Sequence, residues 1–276
     1  LGHKKPCTEN APIMYKKNII SKHIGILCAM PEEVGSSLEN LKNIETRQYG
    51  DLKIHSGDWC FSNSSSKSLH IHLSIAWSGW GKVSAARAAT RLISHQFKKV
   101  KIDAIFFTGV AGAINSKLKQ WDIIIPYELI QHDMDARPLF KKYEIPALKT
   151  IRIKSNKSIT NWTLSTLKNL KKDGALKNFG NIYEGLIATG DKFINNKNDI
   201  GNISKEMEDL FAVEMEGASV AQVAKQEKIP FQIIRVISDA ANENSSEDFS
   251  KFLVKYNNHS AKLISALIEN IESSPI

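Results

Sequence analysis

The sequence predicts an α/β protein with a mixed or parallel sheet that is covered by helices on both faces. Short apolar segments of strand length alternate with segments of helical spacing along most of the chain. The chain has 276 residues, of which 42% are hydrophobic, and a chain of this size hides roughly 75% of its unfolded surface, which suffices for a large core. We find neither an internal repeat nor a convincing linker. We therefore predict one domain over residues 23–276, preceded by a flexible tail over residues 1–22.

The elements of the first half follow from apolar runs and from their glycine and proline boundaries. Pro31 suits the first turn of a helix, because its missing N–H would have no partner there. The predicted strands are His23–Ala29, 52–61, 69–77 and Ile102–Thr108. A Ser/Asn-rich turn covers 62–68, and Gly79 and Gly81 open a helix over about 82–96. The strand that ends at Thr108 leads into a predicted glycine turn, Gly109–Gly112.

The second half continues the alternation after a surface excursion over 131–155. The predicted strands are Trp121–Ile130, Ile182–Ala188 and Phe231–Ser238. The predicted helices are an exposed basic helix over 156–173, a helix over Met215–Lys228 and a long final helix over Glu247–Glu272. Ligands of open sheets gather beyond the carboxyl ends of the strands. That rule indicates five segments: Met30–Glu33, Ser78–Gly81, Thr108–Gly112, Thr189–Phe193 and Ser238–Asn242.

The charge is strongly basic. The formal net charge is +8 and the sequence pI is about 9.2, with basic residues crowded between Lys141 and Lys177. Such a surplus predicts either a solvated lysine-rich surface or weak binding of a polyanion such as a glycosaminoglycan. No recognised nucleic-acid motif accompanies the charge, so we expect no nucleic-acid partner.

Cysteine usage and hydropathy exclude several classes of protein. Cys7, Cys28 and Cys60 are odd in number and share no metal or redox spacing, which excludes a disulfide scaffold and a zinc ribbon. No segment approaches the ~18 consecutive apolar residues of a membrane span. We expect a soluble, cytoplasmic protein without a membrane span. Export from the cytoplasm is an alternative, because the sequence lacks an initiating Met.

Three familiar ligand-binding motifs are incomplete. Gly79–Lys82 is similar to a phosphate loop, but its earlier glycine is missing and Val83 stands where Ser or Thr would hold Mg²⁺. Gly109–Gly112 lacks the full dinucleotide fingerprint. His132–Asp135 has metal-ligand residue types, but no other cluster completes a shell, which favours a hydrogen-bonded loop or interface over a metal site.

Four carboxylates at predicted strand ends carry the functional prediction. Glu33 follows the first strand, Glu214 and Glu216 flank Met215 at a helix start, and Asp239 follows the strand Phe231–Ser238. Taken alone, each of these carboxylates could simply stabilise a helix N-terminus or act as an N-cap. At one edge of one sheet, they would together suit cleavage of a glycosidic bond, in which one carboxylic acid protonates the leaving group and another activates water.

Six motifs in order, from about His23 to the C-terminus, resemble those of the 5′-methylthioadenosine/S-adenosylhomocysteine nucleosidase family. They are Ile24–Val34, Ser78–Val83, Thr108–Gly112, Thr189–Ile194, Val213–Glu216 and Arg235–Asp239. The resemblance implies a three-layer α/β/α sandwich with a mixed central sheet, the nucleoside phosphorylase-like fold. It also implies a homodimer that acts on adenosine thioethers without cofactor or metal.

The resemblance also implies roles for individual residues. Glu33 resembles the general base that activates water, and Asp239 resembles the acid that protonates adenine N7 and holds the exocyclic amine. Glu216 and Met215 resemble the groups that hold the ribose. Phe193 resembles the ring that stacks on adenine, and Ile194 and Val213 resemble the residues that complete the adenine pocket. Arg235 resembles the residue that orients the carboxylate of the general base, and Phe249 resembles a closing wall.

The sequence departs from the family pattern at several positions. Val110 stands where the family often has serine, Trp80 and Trp121 are bulkier than usual, and Ala136–Pro138 replaces Val-Thr-Ala. The resemblance implies that the segment with Ala136–Pro138 reaches the 5′ pocket of the neighbouring subunit, so this last change leaves the reaction in place and the preferred 5′ substituent open. A purine or uridine phosphorylase and a futalosine-type nucleosidase are alternative enzymes. A polyanion-binding role, alone or beside catalysis, is the alternative from another class.

Overall fold

A ten-stranded mixed sheet forms the centre of the molecule. The structure, a computed structural model, describes residues 20–61, 69–242 and 244–276. The strands are β1 Ile20–Cys28, β2 Leu41–Tyr49, β3 Leu52–Trp59, β4 Leu69–Trp77, β5 Gln96–Phe97, β6 Val100–Lys101, β7 Ala104–Ala113, β8 Ile123–Gln131, β9 Arg152–Lys154, β10 Ile182–Thr189, β11 Leu210–Glu214 and β12 Phe231–Asp239. β5 and β6 pair with each other outside the large sheet.

Helices follow many of the strands. They are α1 Lys82–Ser94, α2 Lys157–Lys172, α3 Lys197–Glu206, α4 Gly217–Gln226, α5 Ser245–Asn257 and α6 Ser260–Ile268. Short 3₁₀ helices cover Pro31–Glu33, Gly35–Asn40 and Ile271–Ser273. In the described ranges, no helix is both long and apolar enough to cross a membrane.

The sheet curls because β11 pairs with two strands. The order is β11-β10-β8-β12-β7-β1-β4-β3-β2, with β9 beside β8, and β11 also pairs with the end of β7. β7 runs parallel to β1 and β12, whereas β8 is antiparallel to β12. The antiparallel contact of Gly112 and Ala113 with β11 closes β7, β12, β8, β10 and β11 into a ring. The ends of several strands therefore converge on one place.

Two layers of helices cover the sheet. On one face, α1 and α4 pack together, and their small residues, such as Ala88 and Ala221, meet Leu27 and Phe107 of the sheet. On the other face, α2, α5 and α6 contribute large side chains to a core that includes Ile26 and Phe106; these are Trp162, Phe252, Tyr256 and Leu263. Adjacent residues of one strand thus face opposite layers, as strand geometry requires. The predicted three-layer α/β/α sandwich with a mixed sheet is confirmed.

Several boundaries differ from the prediction. β1 includes the last residues of the predicted tail, because Ile20–Lys22 pair with the start of β4. The predicted helix at Pro31 is a single 3₁₀ turn. The predicted final helix ends at Asn257 and starts again at Ser260, where Asn and His, whose side chains compete for backbone groups, favour a break. The predicted turn at 62–68, residues 1–19 and Cys7 lie outside the described residues.

The predicted glycine turn at Gly109–Gly112 is wrong, because these residues belong to β7. A Cβ on Gly109 would lie 2.2 Å from Nη1 of Arg235 and 2.5 Å from Oε1 of Glu33. The glycine is needed where two buried charged side chains approach the strand, not where the chain reverses.

The predicted basic helix is only partly exposed. α2 buries one face, including Ile159, Trp162 and Leu167, against the core. Several cations of the basic region are also paired within the chain, since Lys142 lies 2.7 Å from Glu206, and Arg152 lies 2.6 Å from Asp209. These ion pairs reduce the net positive charge that is available in this region to bind a polyanion. Binding of a polyanion stays a prediction.

Candidate active site

A cleft lies where the ends of β1, β7, β11 and β12 converge. It encloses about 570 Å³ of empty space, part of it open to solvent, and volumes of this order are typical of small-molecule sites. Its walls hold all of the predicted site residues except Arg235: Glu33, Val110, Phe193, Ile194, Val213, Met215, Glu216, Asp239 and Phe249. The sheet thus assembles residues that are more than two hundred positions apart in sequence.

Glu33 is held by backbone N–H groups. Its Oε2 accepts hydrogen bonds from the N–H of Ala29 at 2.7 Å and of Met30 at 3.1 Å, and its Oε1 accepts one from Val110 at 3.0 Å. Burial raises the pKa of Glu33, while the nearby Arg235 and these three N–H groups oppose the rise. The carboxyl group is therefore fixed in position in a site that disfavours its charge, which suits a group that accepts a proton from water.

Asp239 ends β12 and faces the cleft. Its Oδ1 accepts a hydrogen bond from the Ala241 N–H at 2.8 Å, and its Oδ2 accepts one from the Ser238 hydroxyl at 2.7 Å. The nearest following helix, α5, begins at Ser245 and its N-cap residue is Asn244. Asp239 is therefore not a helix cap, and the alternative interpretation of this residue is wrong.

Glu214, Glu216 and Arg235 form a buried cluster of ionisable side chains. Glu214 accepts hydrogen bonds from Thr189, from Arg235 Nη2 and from the N–H groups of Glu216 and Gly217 at the start of α4. It thus serves the helix N-terminus, as acidic residues commonly do. Glu216 accepts from the Gly81 N–H at 2.9 Å, and its Oε2 lies 3.5 Å from Nη2 of Arg235.

Arg235 contacts Glu214 directly, and its predicted role of orienting the base carboxylate stays a prediction. Its direct ion pair is with Glu214, whereas its interaction with Glu33 is electrostatic. The guanidinium group lies over the ring of Phe107, with its carbon 4.1 Å from the ring centroid. Because Arg235 is fully buried, its charge compensates the surrounding carboxylates without contacting the cleft.

An aromatic wall closes the mouth of the cleft. Phe249 stands edge-on to Phe193, with ring centroids 5.9 Å apart, and to Trp80 at 6.0 Å. Trp80 and Lys192 also line the cleft, and no role was predicted for either residue. A large aromatic residue between Gly79 and Gly81, directly after β4, was the signal that could have identified Trp80. Trp121, the other bulky departure, instead packs against Phe252 in the core.

The metal-ligand residue types at His132–Asp135 serve hydrogen bonding. Asp133 pairs with Lys82 at 2.6 Å and accepts from the Asp191 N–H at 2.9 Å, and Asp135 pairs with Arg137. Among the residues that the structure describes, this segment does not bring its side chains together at one point. The preferred interpretation, a hydrogen-bonded loop, agrees with these contacts.

We expect Glu216 to make stability depend on pH. Burial, followed by the charge of Glu214, raises its pKa from 4.5 to about 8. Between these values the folded protein binds a proton that the unfolded chain has released, so this group lowers the free energy of unfolding as the pH rises. Glu216→Gln cannot lose a proton. Its thermal midpoint relative to wild type should therefore rise by several degrees from pH 5 to pH 8.5.

Calorimetry of both proteins across this range would test the expectation. Glu184→Gln, at an exposed position of β10, is the control and should show a nearly constant difference from wild type. An equally constant difference for Glu216→Gln would contradict a raised pKa.

Sequence comparison identifies the family. The Phosphorylase superfamily matches residues 23–269. A protein of Buchnera aphidicola named 5′-methylthioadenosine/S-adenosylhomocysteine nucleosidase is 32% identical over 251 residues, which are 91% of this chain and 97% of that protein. The Bacillus subtilis protein of the same name is 31% identical, over 90% of this chain and 99% of its own length.

Solved structures agree with this result. The 5′-methylthioadenosine/S-adenosylhomocysteine nucleosidase of Neisseria meningitidis, in complex with methylthio-immucillin-A, has a TM-score of 0.77 and 27% identity, covering 90% of this chain and 99% of that one. The futalosine hydrolase of Helicobacter pylori has a TM-score of 0.76 and 30% identity, covering 90% and 98%. With a superfamily match over most of its length and relatives above 30% identity over nine-tenths of it, the chain belongs to the 5′-methylthioadenosine/S-adenosylhomocysteine nucleosidase family of the phosphorylase superfamily.

Proposed function

We propose that this protein hydrolyses the N-glycosidic bond of 5′-methylthioadenosine and S-adenosylhomocysteine, releasing adenine and the 5-thio-substituted ribose. The observation that carries the proposal is the position of Glu33. Its carboxylate accepts hydrogen bonds from the N–H groups of Ala29, Met30 and Val110 beside the cleft. These donors are the ones that could otherwise bind a phosphate, and the charge of Glu33 would repel that anion.

In the proposed reaction, Glu33 removes a proton from water as the water oxygen bonds to the anomeric carbon of the ribose. The bond from that carbon to adenine N9 breaks, and its electron pair moves into the purine. Asp239 donates a proton to N7, so adenine leaves as a neutral molecule. A transition state of this kind carries positive charge on the ribose. Glu33 and Glu214 set two carboxylates against the single guanidinium of Arg235, and this excess of negative charge stabilises the transition state.

The remaining walls suit a nucleoside. We assign the adenine ring to the space beside Phe193, Ile194 and Val213, and the ribose to Glu216 and Met215. These residues line the same cleft as the two proposed catalytic carboxylates. A Glu216 that keeps its proton near neutral pH can both donate to and accept from ribose hydroxyl groups. Val110, whose N–H binds Glu33, adds an apolar surface beside the ribose.

The 5′ substituent would lie towards the mouth of the cleft. Trp80 is 53% exposed and stands edge-on to Phe249, so both rings are available to an apolar thioether. The longer, charged homocysteinyl group would extend past them towards solvent and Lys192. We therefore include both thioethers in the proposal.

We also infer that the protein acts as a homodimer, as the family resemblance implies. Large apolar side chains are exposed on α1 and on the segment that follows β8: Val83, three residues after Trp80 of the cleft, is 81% exposed, and Leu139 is 84% exposed. Lys82 and Asp133, which pair at 2.6 Å, bring α1 and the segment after β8 together. Exposed apolar surface of this kind is typical of an interface between subunits.

The reaction is expected to use water and not phosphate. Adenine release from methylthioadenosine should proceed at the same rate with and without added phosphate, and the sugar product should be the free 5-methylthioribose. Chromatography of the sugar product distinguishes the two chemistries. Formation of a ribose 1-phosphate, or release that requires phosphate, would identify a phosphorylase instead.

The same assay with a set of nucleosides tests the substrate. Methylthioadenosine and S-adenosylhomocysteine should both be cleaved, and futalosine should be cleaved more slowly at equal concentration. A clear preference for futalosine would retain the hydrolytic mechanism but replace the proposed substrate.

A further inference from the structure

A second polar cluster lies at the other end of the sheet. Asp58 is in β3, and His70 and His72 are in β4. Asp58 pairs with His72 across the two antiparallel strands, and residues two apart on a strand share a face, so all three side chains point to one side of the hairpin. His72 precedes Trp77, at the cleft end of β4, by a rise of about 16 Å. The cluster is therefore separate from the proposed active site.

The three side chains bring potential metal ligands together. Oδ1 of Asp58 lies 2.8 Å from Nδ1 of His72 and 3.1 Å from Nε2 of His70, and the three atoms lie within 4.8 Å of one another. A tetrahedral zinc ion holds nitrogen and oxygen ligands at about 2.0–2.2 Å, which places those ligands roughly 3.4 Å apart. The two oxygen–nitrogen distances would have to lengthen by about 0.3–0.6 Å to reach that spacing.

Burial gives the cluster a closed side and an open side. The side chains of His72 and Asp58 are 6% and 11% exposed, whereas that of His70 is 46% exposed. An ion could thus enter past His70 and keep water on its solvent side. The closed side would hold the two other ligands rigidly within the sheet.

Neighbouring groups fix the carboxylate in a suitable orientation. The other oxygen of Asp58, Oδ2, accepts hydrogen bonds from Asn43 at 2.7 Å and Lys98 at 2.6 Å, which leaves Oδ1 to face the two histidines. Burial acts to raise the pKa of Asp58, but the hydrogen bonds from Asn43, Lys98 and the histidines outweigh it and lower the pKa. Burial lowers the pKa of His72. A charged carboxylate and a neutral imidazole are the forms that bind metals.

We propose that Asp58, His70 and His72 bind one divalent transition-metal ion, with water completing its coordination. Two imidazole nitrogens and one carboxylate oxygen suit zinc and related ions better than calcium or magnesium, which prefer all-oxygen ligands. Lys98 is the competing cation, because its ammonium group already neutralises the same carboxylate. The bound ion would stabilise the β3–β4 hairpin and takes no part in the proposed reaction.

The test uses the full-length, tag-free protein with Cys7 and Cys60 both replaced by serine, which removes thiolates that would bind zinc elsewhere; Cys28 is buried. Titration with Co²⁺, followed by visible absorption, and with Zn²⁺, followed by calorimetry, should give one saturable site per chain. Zinc should also raise the thermal midpoint, because an ion that binds only the folded state stabilises it.

Variants assign the site to these residues. His70→Ala removes the most exposed ligand and should leave the fold intact while weakening zinc binding at least ~10-fold, since even outer-shell changes cost that much. Asp58→Asn should weaken binding similarly, and Lys98→Met should tighten it by removing the competing cation. His55→Ala is the matched control, because His55 lies on the opposite face of β3 and stacks on Trp77.

Two results would overturn the proposal. Absence of a saturable site in the protein with Cys7 and Cys60 replaced would show that the cluster is an ion-pair network only. Binding that His70→Ala leaves unchanged, in a variant whose circular dichroism matches the parent, would place the ion elsewhere.

Discussion

Asp239→Asn is expected to lower the rate of adenine release at least ~100-fold, because general acid catalysis is typically worth ~10²–10⁴ in rate. The substitution keeps the shape of the side chain. The amide oxygen can still accept from the Ala241 N–H, and the amide NH₂ can donate to the Ser238 hydroxyl in place of the present bond, so both hydrogen bonds of Asp239 have a counterpart. The thermal midpoint should therefore stay near that of the wild type while the proton donor is lost.

A substrate whose leaving group needs no proton separates the acid role from a positioning role. A 4-nitrophenyl riboside releases a stable anion, so Asp239→Asn should lose far less activity on it than on methylthioadenosine. Asp133→Asn, which alters a surface carboxylate paired with Lys82, is the control for a general effect of charge removal. Near-normal adenine release by Asp239→Asn, or equal losses on both substrates, would remove this residue as the proton donor.

Segments with strong apolar patterns were predicted well from the sequence. β4 and β12 are buried along nearly their whole length, and their predicted bounds agree with the structure to within one residue. β2 was missed because Leu41–Tyr49 is exposed at most positions and carries no alternation of apolar residues. α3 and β11 were missed for related reasons. α3 is rich in Lys and Asn, and β11 has only five residues.

In the candidate site, the positions of the carboxylates could be predicted from the sequence, but some of the contacts between side chains could not. Glu33 and Asp239 could be identified as carboxylates at strand ends, since β-sheet geometry brings such ends together. The partner of Arg235 could not be identified, because three carboxylates compete for it. Glu214 is favoured only because β12 pairs with β7, and the end of β7 pairs in turn with β11. The role of Gly109 was equally hidden, since the side chains that need its space come from distant segments.

Glu33→Ala is expected to lower adenine release at least ~100-fold, which is the range for loss of a general base. The reason lies in the contacts of the carboxylate. Three backbone N–H groups bind its two oxygens, and in the variant these donors would remain aimed at the same place. A small carboxylate such as formate should bind there and accept the proton from water. Added formate should therefore restore part of the activity of Glu33→Ala and have little effect on Asp239→Asn.

Stability distinguishes this role from a purely structural one. Removing the carboxylate leaves buried N–H groups without a partner, which typically costs about 1–3 kcal/mol each, less where water enters, so Glu33→Ala should melt several degrees below the wild type. Formate should recover part of that loss together with the activity. Glu32→Gln, at the adjacent half-buried position outside the cleft, should retain both. If formate raised the thermal midpoint without restoring adenine release, Glu33 would support the fold of the cleft, and the base would have to be sought among the other carboxylates.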